Sequence, residues 1–152
     1  MQLAFQRVLG VLSTEVGYTQ GLVTSINPSY EDVMTGKTGH VEAVQVKFDS
    51  NVISLKELLD FYWDIIDPTS LNGQGTDVGT QYRSGIYYNN EEQYQIILES
   101  KTRIQKLYSQ PIATEVILAS IWYVADEFFQ RYLEKDGQSA RKGELTPIRQ
   151  YG

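Results

Sequence analysis

The sequence predicts an α/β fold, an α+β two-layer sandwich, formed by a single domain over residues 1–152. Segments in which apolar and polar side chains alternate, a pattern typical of strands, interleave with segments of helical periodicity. Two long loops that contain glycine, at residues 19–40 and 67–82, separate these segments. Loops of this length inside a compact domain usually carry function, so the site is expected there.

The first half of the chain predicts two helices and two strands. Alternating side chains indicate strands at residues 12–18 and 41–48. Ser54 and Glu57 form a capping box, in which the two side chains satisfy free amides at a helix start, and it predicts a helix to about Ile66. Residues 1–9 favour a helix, and since no capping residue precedes them, the chain is expected to enter that helix in its middle.

The second half predicts two further strands, two helices and a polar tail. The strands are predicted at residues 84–88 and 114–118. Asn89 or Asn90 caps a helix that extends to about Tyr108, and a last helix is predicted at residues 125–135. From about residue 136 the chain is a polar tail.

Composition and charge restrict the function. The net charge of −6 provides no basic surface for phosphates, so we expect no nucleic-acid partner. No apolar run approaches the roughly 18 residues of a membrane-spanning helix, so we expect no membrane partner. The chain has no cysteine and one histidine, His40, which leaves no thiol nucleophile and predicts local hydrogen bonding for His40. We therefore expect neither a cofactor nor a metal.

Glu42 is the most informative residue on pattern alone. It opens the second strand on the face that also presents Val44, Val46 and Phe48. A carboxyl withdrawn from water at this position would have a raised pKa, which suits a general acid. The alternative is that Glu42 lies at the strand end and reaches solvent, because glutamate is seldom fully buried.

The two loops contribute three more candidates. Tyr30 lies in the first loop, within NPSYEDV, and Asp77 and Tyr82 lie in the second, within GQGTDVGTQYR. Each also has a plain structural interpretation, as a turn former for the aspartate and as half-buried anchors for the tyrosines. GQGTDVG lacks the lysine and the strand-to-helix setting of a phosphate-binding loop, so that function is excluded.

Together these segments resemble the methionine sulfoxide reductase A family, the peptide-methionine (S)-S-oxide reductases. The matching stretches are STEVGYTQG, NPSYEDVMTGKTGHVEAVQV, LLDFYWDIIDPTSLNGQGTDVGTQYRSGIYY and QRYLEK, and the closing KGELTPIRQYG is similar to plant members. The resemblance covers nearly the whole chain. It implies an α/β oxidoreductase that repairs oxidised proteins by reducing the S epimer of methionine sulfoxide, free or in proteins, with a thioredoxin-type reductant.

The resemblance also implies roles for the four candidates. In the family a cysteine thiolate attacks the sulfoxide sulfur, and a glutamate that matches Glu42 protonates the oxygen. Tyrosines that match Tyr30 and Tyr82, with an aspartate that matches Asp77, hydrogen-bond this oxygen or an ordered water. Such donors fit the chemistry because the oxygen must leave as hydroxide or water.

The sequence departs from the family at the nucleophile. The family's cysteine lies in a Gly-Cys-Phe-Trp-Gly motif that by alignment would end just before Met1, together with a preceding strand. Other positions where relatives carry cysteine or histidine read Met34, Ile66, Phe129, Glu144 and Gln150. No remaining side chain can replace a thiolate that passes through a sulfenic acid. We therefore expect these 152 residues to be inactive alone.

Three interpretations stay open at this point. The chain is a truncated copy of a reductase, a non-catalytic relative that binds methionine sulfoxide or a peptide, or a decayed sequence. Truncation is favoured over a binding module, because such a module has no evident reason to discard a strand and a pocket wall. A domain without that strand is expected to be unstable or to aggregate. We otherwise expect a monomer, cytoplasmic by default or plastidic where an upstream transit segment exists.

Overall fold

Helices and strands alternate along the chain, which confirms the predicted α/β class. The structure, a computed structural model, describes residues 1–149, so that residues 150–152, the end of the predicted domain and of the KGELTPIRQYG stretch, lie outside the described range. The helices are α1 (Gln2–Gln6), α2 (Tyr30–Met34), α3 (Leu55–Ile65), α4 (Glu91–Gln105) and α5 (Tyr132–Lys135). The strands are β1 (Val11–Thr19), β2 (Val41–Phe48), β3 (Gly73–Gln74), β4 (Asp77–Val78), β5 (Gly85–Tyr88), β6 (Glu115–Leu118) and β7 (Tyr123–Val124).

Strands β1 and β2 form the main antiparallel ladder, which extends from the pair Val11 and Phe48 to the pair Thr19 and Val41. β7 joins the other edge of β1, which gives the strand order β2-β1-β7. β5 and β6 form a separate parallel pair. β3 and β4 form a small antiparallel pair inside the second long loop.

The main core lies where α3 and α4 pack beside α1. Trp63 of α3 donates its indole N–H to Ser100 Oγ of α4 at 2.8 Å, so the polar atom of a buried aromatic ring is satisfied inside this core. A second, small cluster contains Tyr18, Val33 and Ala125. The buried members of the main core are Phe5, Val11, Leu58, Leu59, Tyr62, Trp63, Ile97 and Ile112.

The predicted helix starts of α3 and α4 are confirmed, and their caps explain why. Ser54 accepts from the Glu57 amide while the Glu57 carboxylate accepts from the Ser54 amide, which is the reciprocal pattern of a capping box. Of the two asparagines ahead of α4, the cap is Asn90, whose side chain accepts from the Gln93 amide. These signals are local in sequence, so they could be recognised without the fold.

The predicted helix over residues 125–135 is wrong. After β7 the chain forms only a 3-10 turn at Glu127–Phe129 and the single turn of α5, with Arg131 in the left-handed region at φ 51°. The Gln130 side chain accepts from the Val16 amide and donates to the Val16 carbonyl, both at 2.8 Å. These two hydrogen bonds to β1 form instead of helical hydrogen bonds. They depend on Val16, which is more than a hundred positions away in the sequence.

The two long loops contain elements that the sequence analysis missed. The first holds α2, which begins at a capping box of Ser29 and Asp32. The polar tail folds back onto the segment that joins α1 to β1. Arg7, which follows α1, donates to the Ser139 carbonyl at 2.8 Å, and Lys142 donates at 2.8 Å to the carbonyl of Val11, the first residue of β1. No helix within residues 1–149 is long and apolar enough to cross a lipid bilayer.

A groove of about 1100 Å³ lies between β2 and β5. In the described part of the chain, β2 pairs only with β1 and β5 pairs only with β6, so each leaves one edge without a strand partner. Side chains from the core helices line this groove, among them Leu58, Leu59, Tyr62 and Ile97. The groove therefore combines free backbone groups with apolar surface, which is the combination that recruits other strands.

We expect the isolated chain to self-associate as its concentration rises, because these free edges can pair with another copy. Size-exclusion chromatography with light scattering across a dilution series measures this, and circular dichroism records thermal unfolding. Val44→Lys places a charge on β2 inside the groove and should reduce association. A monodisperse chain that unfolds in one sharp transition at every concentration would contradict the expectation.

Candidate active site

Glu42 lies near the start of β2, directly opposite Tyr18 of β1, and its side chain lines the groove. The residue is half-buried. Burial raises the pKa of the Glu42 carboxyl, and the nearby charge of Asp77 raises it further. The carboxyl is thus withdrawn from water, as in the first of the two placements considered from sequence, while its role as an acid stays a prediction.

The other three candidates lie close enough to Glu42 to interact electrostatically with it. Tyr30 begins α2, Asp77 begins β4, and Tyr82 ends the 3-10 turn at Thr80–Tyr82. Burial raises the pKa of both Tyr30 and Tyr82, with further contributions from the charges of Glu42 and Asp77. Both phenols therefore keep their protons at neutral pH and can act as hydrogen-bond donors.

Tyr18 belongs to the same group, although the sequence analysis did not select it. Burial, followed by the charge of Glu42, raises the pKa of Tyr18 to about 12. The alternation of β1 indicates a strand but does not reveal its register against β2, so the pairing of Tyr18 with Glu42 could not be read from sequence.

Two side-chain contacts hold the phenols of the site. The Tyr30 ring stacks on Phe129, with centroids 4.5 Å apart and planes inclined by 23°. The Tyr82 hydroxyl donates to Met34 Sδ, at 3.1 Å from the oxygen to the sulfur. Phe129 and Met34 occupy positions where relatives were expected to carry histidine or cysteine. This chain therefore places an aromatic ring and a thioether against the two phenols.

Arg83 connects the segments that carry the candidates, and sequence reasoning missed it. Its Nε donates to Glu115 Oε1 of β6 at 2.8 Å, and this ion pair is mostly shielded from solvent. Its two terminal nitrogens donate to the carbonyls of Thr80, at 2.8 Å, and Gly39, at 3.1 Å. One guanidinium therefore links the turn that ends at Tyr82 to the segment that precedes Glu42.

His40 is buried and has a local structural role, as the sequence predicted. Its Nδ1 accepts from the Gly21 amide at 3.1 Å, so the proton lies on Nε2, which donates to the Ser25 carbonyl at 2.8 Å. A Cβ on Gly21 would lie 2.4 Å from the His40 ring, so this close approach requires glycine. Within residues 1–149, no cluster of three or more histidine, aspartate or glutamate side chains is arranged to hold a metal ion.

The arrangement offers a carboxyl of raised pKa and protonated phenols, and Glu42, Asp77 and Tyr82 line the groove. Such a set can donate hydrogen bonds to a polar oxygen and can deliver a proton to it as a bond to that oxygen breaks. The chain supplies no thiol, because it contains no cysteine.

Comparisons with known proteins show what the chain as a whole is similar to. Residues 1–151 match the sequence model of the family described as peptide methionine sulfoxide reductase. The chloroplastic peptide methionine sulfoxide reductase A4 of Arabidopsis thaliana is 52% identical over 157 residues, which cover 100% of this chain and 60% of the relative. The MsrA protein of Clostridium tetani is 52% identical over 132 residues, which cover 87% of this chain and 79% of the relative. The chain thus spans about three fifths of the chloroplastic relative.

Solved structures are also similar to this chain. The reduced form of Mxr1 from Saccharomyces cerevisiae superposes with a TM-score of 0.84 at 34% identity, over 90% of this chain and 78% of that one. Mxr1 in complex with Trx2 superposes with a TM-score of 0.54 at 26% identity, over 81% of this chain and 67% of that one.

We expect Glu42→Gln to raise the free energy of unfolding at neutral pH. A folded-state pKa above the unfolded value means that the protonated form contributes stability below the unfolded pKa, and that this contribution is lost as the pH rises through the folded pKa. The amide cannot ionise, so the difference from wild type should shrink as the pH falls below the ordinary glutamate value of about 4.3. Urea unfolding at several pH values measures it.

Glu99→Gln is the matched control for this measurement. It removes an exposed carboxylate from α4 and should change the free energy of unfolding by no more than about 0.5 kcal/mol. If Glu42→Gln were less stable than wild type at neutral pH, the carboxylate would be making a favourable contact in its charged form, and the assignment of a withdrawn acid would fail.

Proposed function

Because the chain belongs to the peptide methionine sulfoxide reductase family, we propose that its site binds the S epimer of methionine sulfoxide, free or in a protein, and supplies the acid for its reduction. One observation carries this proposal. The withdrawn carboxyl of Glu42 lies within electrostatic reach of two protonated phenols, Tyr30 and Tyr82, and of Asp77.

The chemistry explains why these groups suit a sulfoxide. The S–O group is a neutral dipole whose oxygen carries the negative end, so phenol donors can bind it without a counter-charge. During reduction the S–O bond breaks, and the oxygen must take up protons to leave as water. We propose that the protonated form of Glu42 provides a proton at that oxygen and that the Tyr30 and Tyr82 hydroxyls stabilise the developing negative charge.

The same chemistry needs two electrons from a thiol, and the chain contains no cysteine. We propose that these 152 residues alone do not turn over the sulfoxide, since serine, threonine and tyrosine hydroxyls are weak nucleophiles toward sulfur and form no sulfenic acid. The Mxr1 structure that contains Trx2 supports a thioredoxin-type reductant for relatives. Thioredoxin works through thiol–disulfide exchange, so it could act here only on a cysteine supplied from outside this sequence.

The alternative function is a non-catalytic relative that binds methionine sulfoxide or an oxidised peptide. It is favoured by one specific observation, that Tyr82 interacts electrostatically with Glu42, Tyr30 and Asp77 in a chain without a thiol. The chloroplastic relatives from Arabidopsis thaliana and Oryza sativa support a plastid location for a protein that carries this domain behind a transit segment. Binding without turnover is expected for both functions. A chain that is inactive because it has lost the site would show neither binding nor turnover.

We expect the chain to bind methionine S-sulfoxide but to form no methionine from it in the presence of dithiothreitol. Chromatographic detection of methionine measures turnover, and chemical-shift changes on titration measure binding. The R epimer is the control and should bind more weakly, because its oxygen cannot face the same phenols. Clear turnover would show that a group other than cysteine reduces the sulfoxide, and the proposed mechanism would be wrong.

We expect activity with dithiothreitol when a segment that contains Gly-Cys-Phe-Trp-Gly is fused directly ahead of α1, because it adds the thiolate to a site that already holds the acid. In that fused protein Glu42→Gln should lower kcat by about 100-fold or more, the usual range for loss of a general acid. Glu99→Gln is the control and should keep full activity. Unchanged kcat in the Glu42→Gln protein would remove Glu42 from the role of acid.

A further inference from the structure

Met34 lies inside the group of candidate residues rather than beside it. It ends the short helix α2 that Tyr30 begins, so the two side chains are four positions apart and share one face of the helix. Its side chain is half-buried and packs against the cluster that contains Tyr18, Val33 and Ala125.

The Met34 sulfur receives the hydrogen bond of a phenol that we assign to the substrate oxygen. The Tyr82 hydroxyl lies 3.1 Å from Met34 Sδ and donates to it. A thioether is a weak acceptor, whereas a sulfoxide presents a strongly polar oxygen to the same donor. Burial raises the pKa of Tyr82, so the phenol keeps the proton that this bond requires.

We propose that Met34 is an oxidative modification site, at which a peroxide converts the thioether to a sulfoxide whose oxygen accepts the Tyr82 hydrogen bond and so excludes external methionine sulfoxide. The exclusion rests on the proposed function, because it assumes that Tyr82 binds the substrate oxygen. The modification itself rests only on the position of the sulfur and on its phenol partner.

The oxidation step balances with hydrogen peroxide as the oxidant. The Met34 sulfur donates an electron pair to one peroxide oxygen, an S–O bond forms and the O–O bond breaks. The sulfur loses two electrons, and the departing hydroxide takes the remaining proton and leaves as water. Oxidation thus converts a flexible apolar side chain into a polar one at a half-buried position.

The contact with the Tyr82 hydroxyl determines where the oxidised Met34 side chain lies. A polar oxygen moved into a half-buried position is costly unless it finds a donor, and Tyr82 is already in contact. Methionine has enough rotatable bonds to turn its oxygen toward that hydroxyl without moving α2. The oxidised side chain is therefore retained in the site and behaves as an internal copy of the external ligand.

Hydrogen peroxide treatment followed by peptide mass mapping tests the modification. The chain has two methionines, and Met1, which is 45% exposed, serves as an internal reference for a freely accessible thioether. We expect each methionine to gain one oxygen in the wild type and Met1 alone to gain one in Met34→Leu, a change that keeps the side-chain volume. Met34 left unoxidised after Met1 is fully converted would overturn the proposal.

Binding of N-acetylmethionine S-sulfoxide amide, measured by chemical-shift titration before and after peroxide, tests the exclusion. We expect oxidation to weaken binding at least tenfold in the wild type and to leave Met34→Leu unchanged. Equal binding before and after oxidation of the wild type would overturn the proposal. If neither the untreated wild type nor Met34→Leu binds the probe, the proposed function fails instead.

If neither protein binds the probe, thermal unfolding tests the contact between Met34 and Tyr82 without any external ligand. We expect oxidation to lower the melting temperature of Tyr82→Phe more than that of the wild type, because the phenylalanine ring offers no donor to the new oxygen. Equal drops in the two proteins would show that the sulfoxide makes no bond to Tyr82, and the proposal would be wrong.

Discussion

The site depends on the register of β1 against β2. The pair of Tyr18 and Glu42 sets the side of the sheet on which the carboxyl lies, and a slip of one residue would turn Glu42 to the opposite face. The one irregularity in this ladder occurs at its far end, between Val11 and Ser13, so the pairing is regular where it borders the site. Gly17 precedes Tyr18 and lets Trp122 lie against the strand, since a Cβ there would be 2.4 Å from the indole.

Given this register, the electrostatics of the site follow from burial. Burial raises the pKa of Glu42 and of both phenols, and the neighbouring charges of Glu42 and Asp77 add to the effect on the phenols. The guanidinium of Arg83 is hydrogen-bonded to Glu115 and to the backbone carbonyls of Thr80 and Gly39. Protonated phenols suit an uncharged dipole, whereas a carboxylate or phosphate ligand would need a positive charge.

The strands β1 and β2, the helices α3 and α4, and the class of the fold could be predicted because their signals are local: alternation, capping boxes and helical periodicity. The helix predicted over residues 125–135 failed because Gln130 bonds to β1 instead, a contact that no local pattern announces. The roles of Arg83 and Tyr18 were missed for the same reason. The capping box of Ser29 and Asp32 was present in the sequence, so α2 could have been predicted by the rule that identified α3.

The reduction of a sulfoxide divides between groups that act on oxygen and a group that acts on sulfur. We propose that Glu42, Tyr30 and Tyr82 are groups of the first kind, which act as proton or hydrogen-bond donors. The second kind requires a thiolate, which must lose a proton to become a nucleophile. The one sulfur in contact with Tyr82 is the thioether of Met34, which has no such proton and can only accept oxygen. In this proposal the sulfur chemistry at Met34 runs in the oxidising direction, opposite to the reduction of methionine sulfoxide, and the Tyr82 hydroxyl can donate to a sulfoxide oxygen in either case.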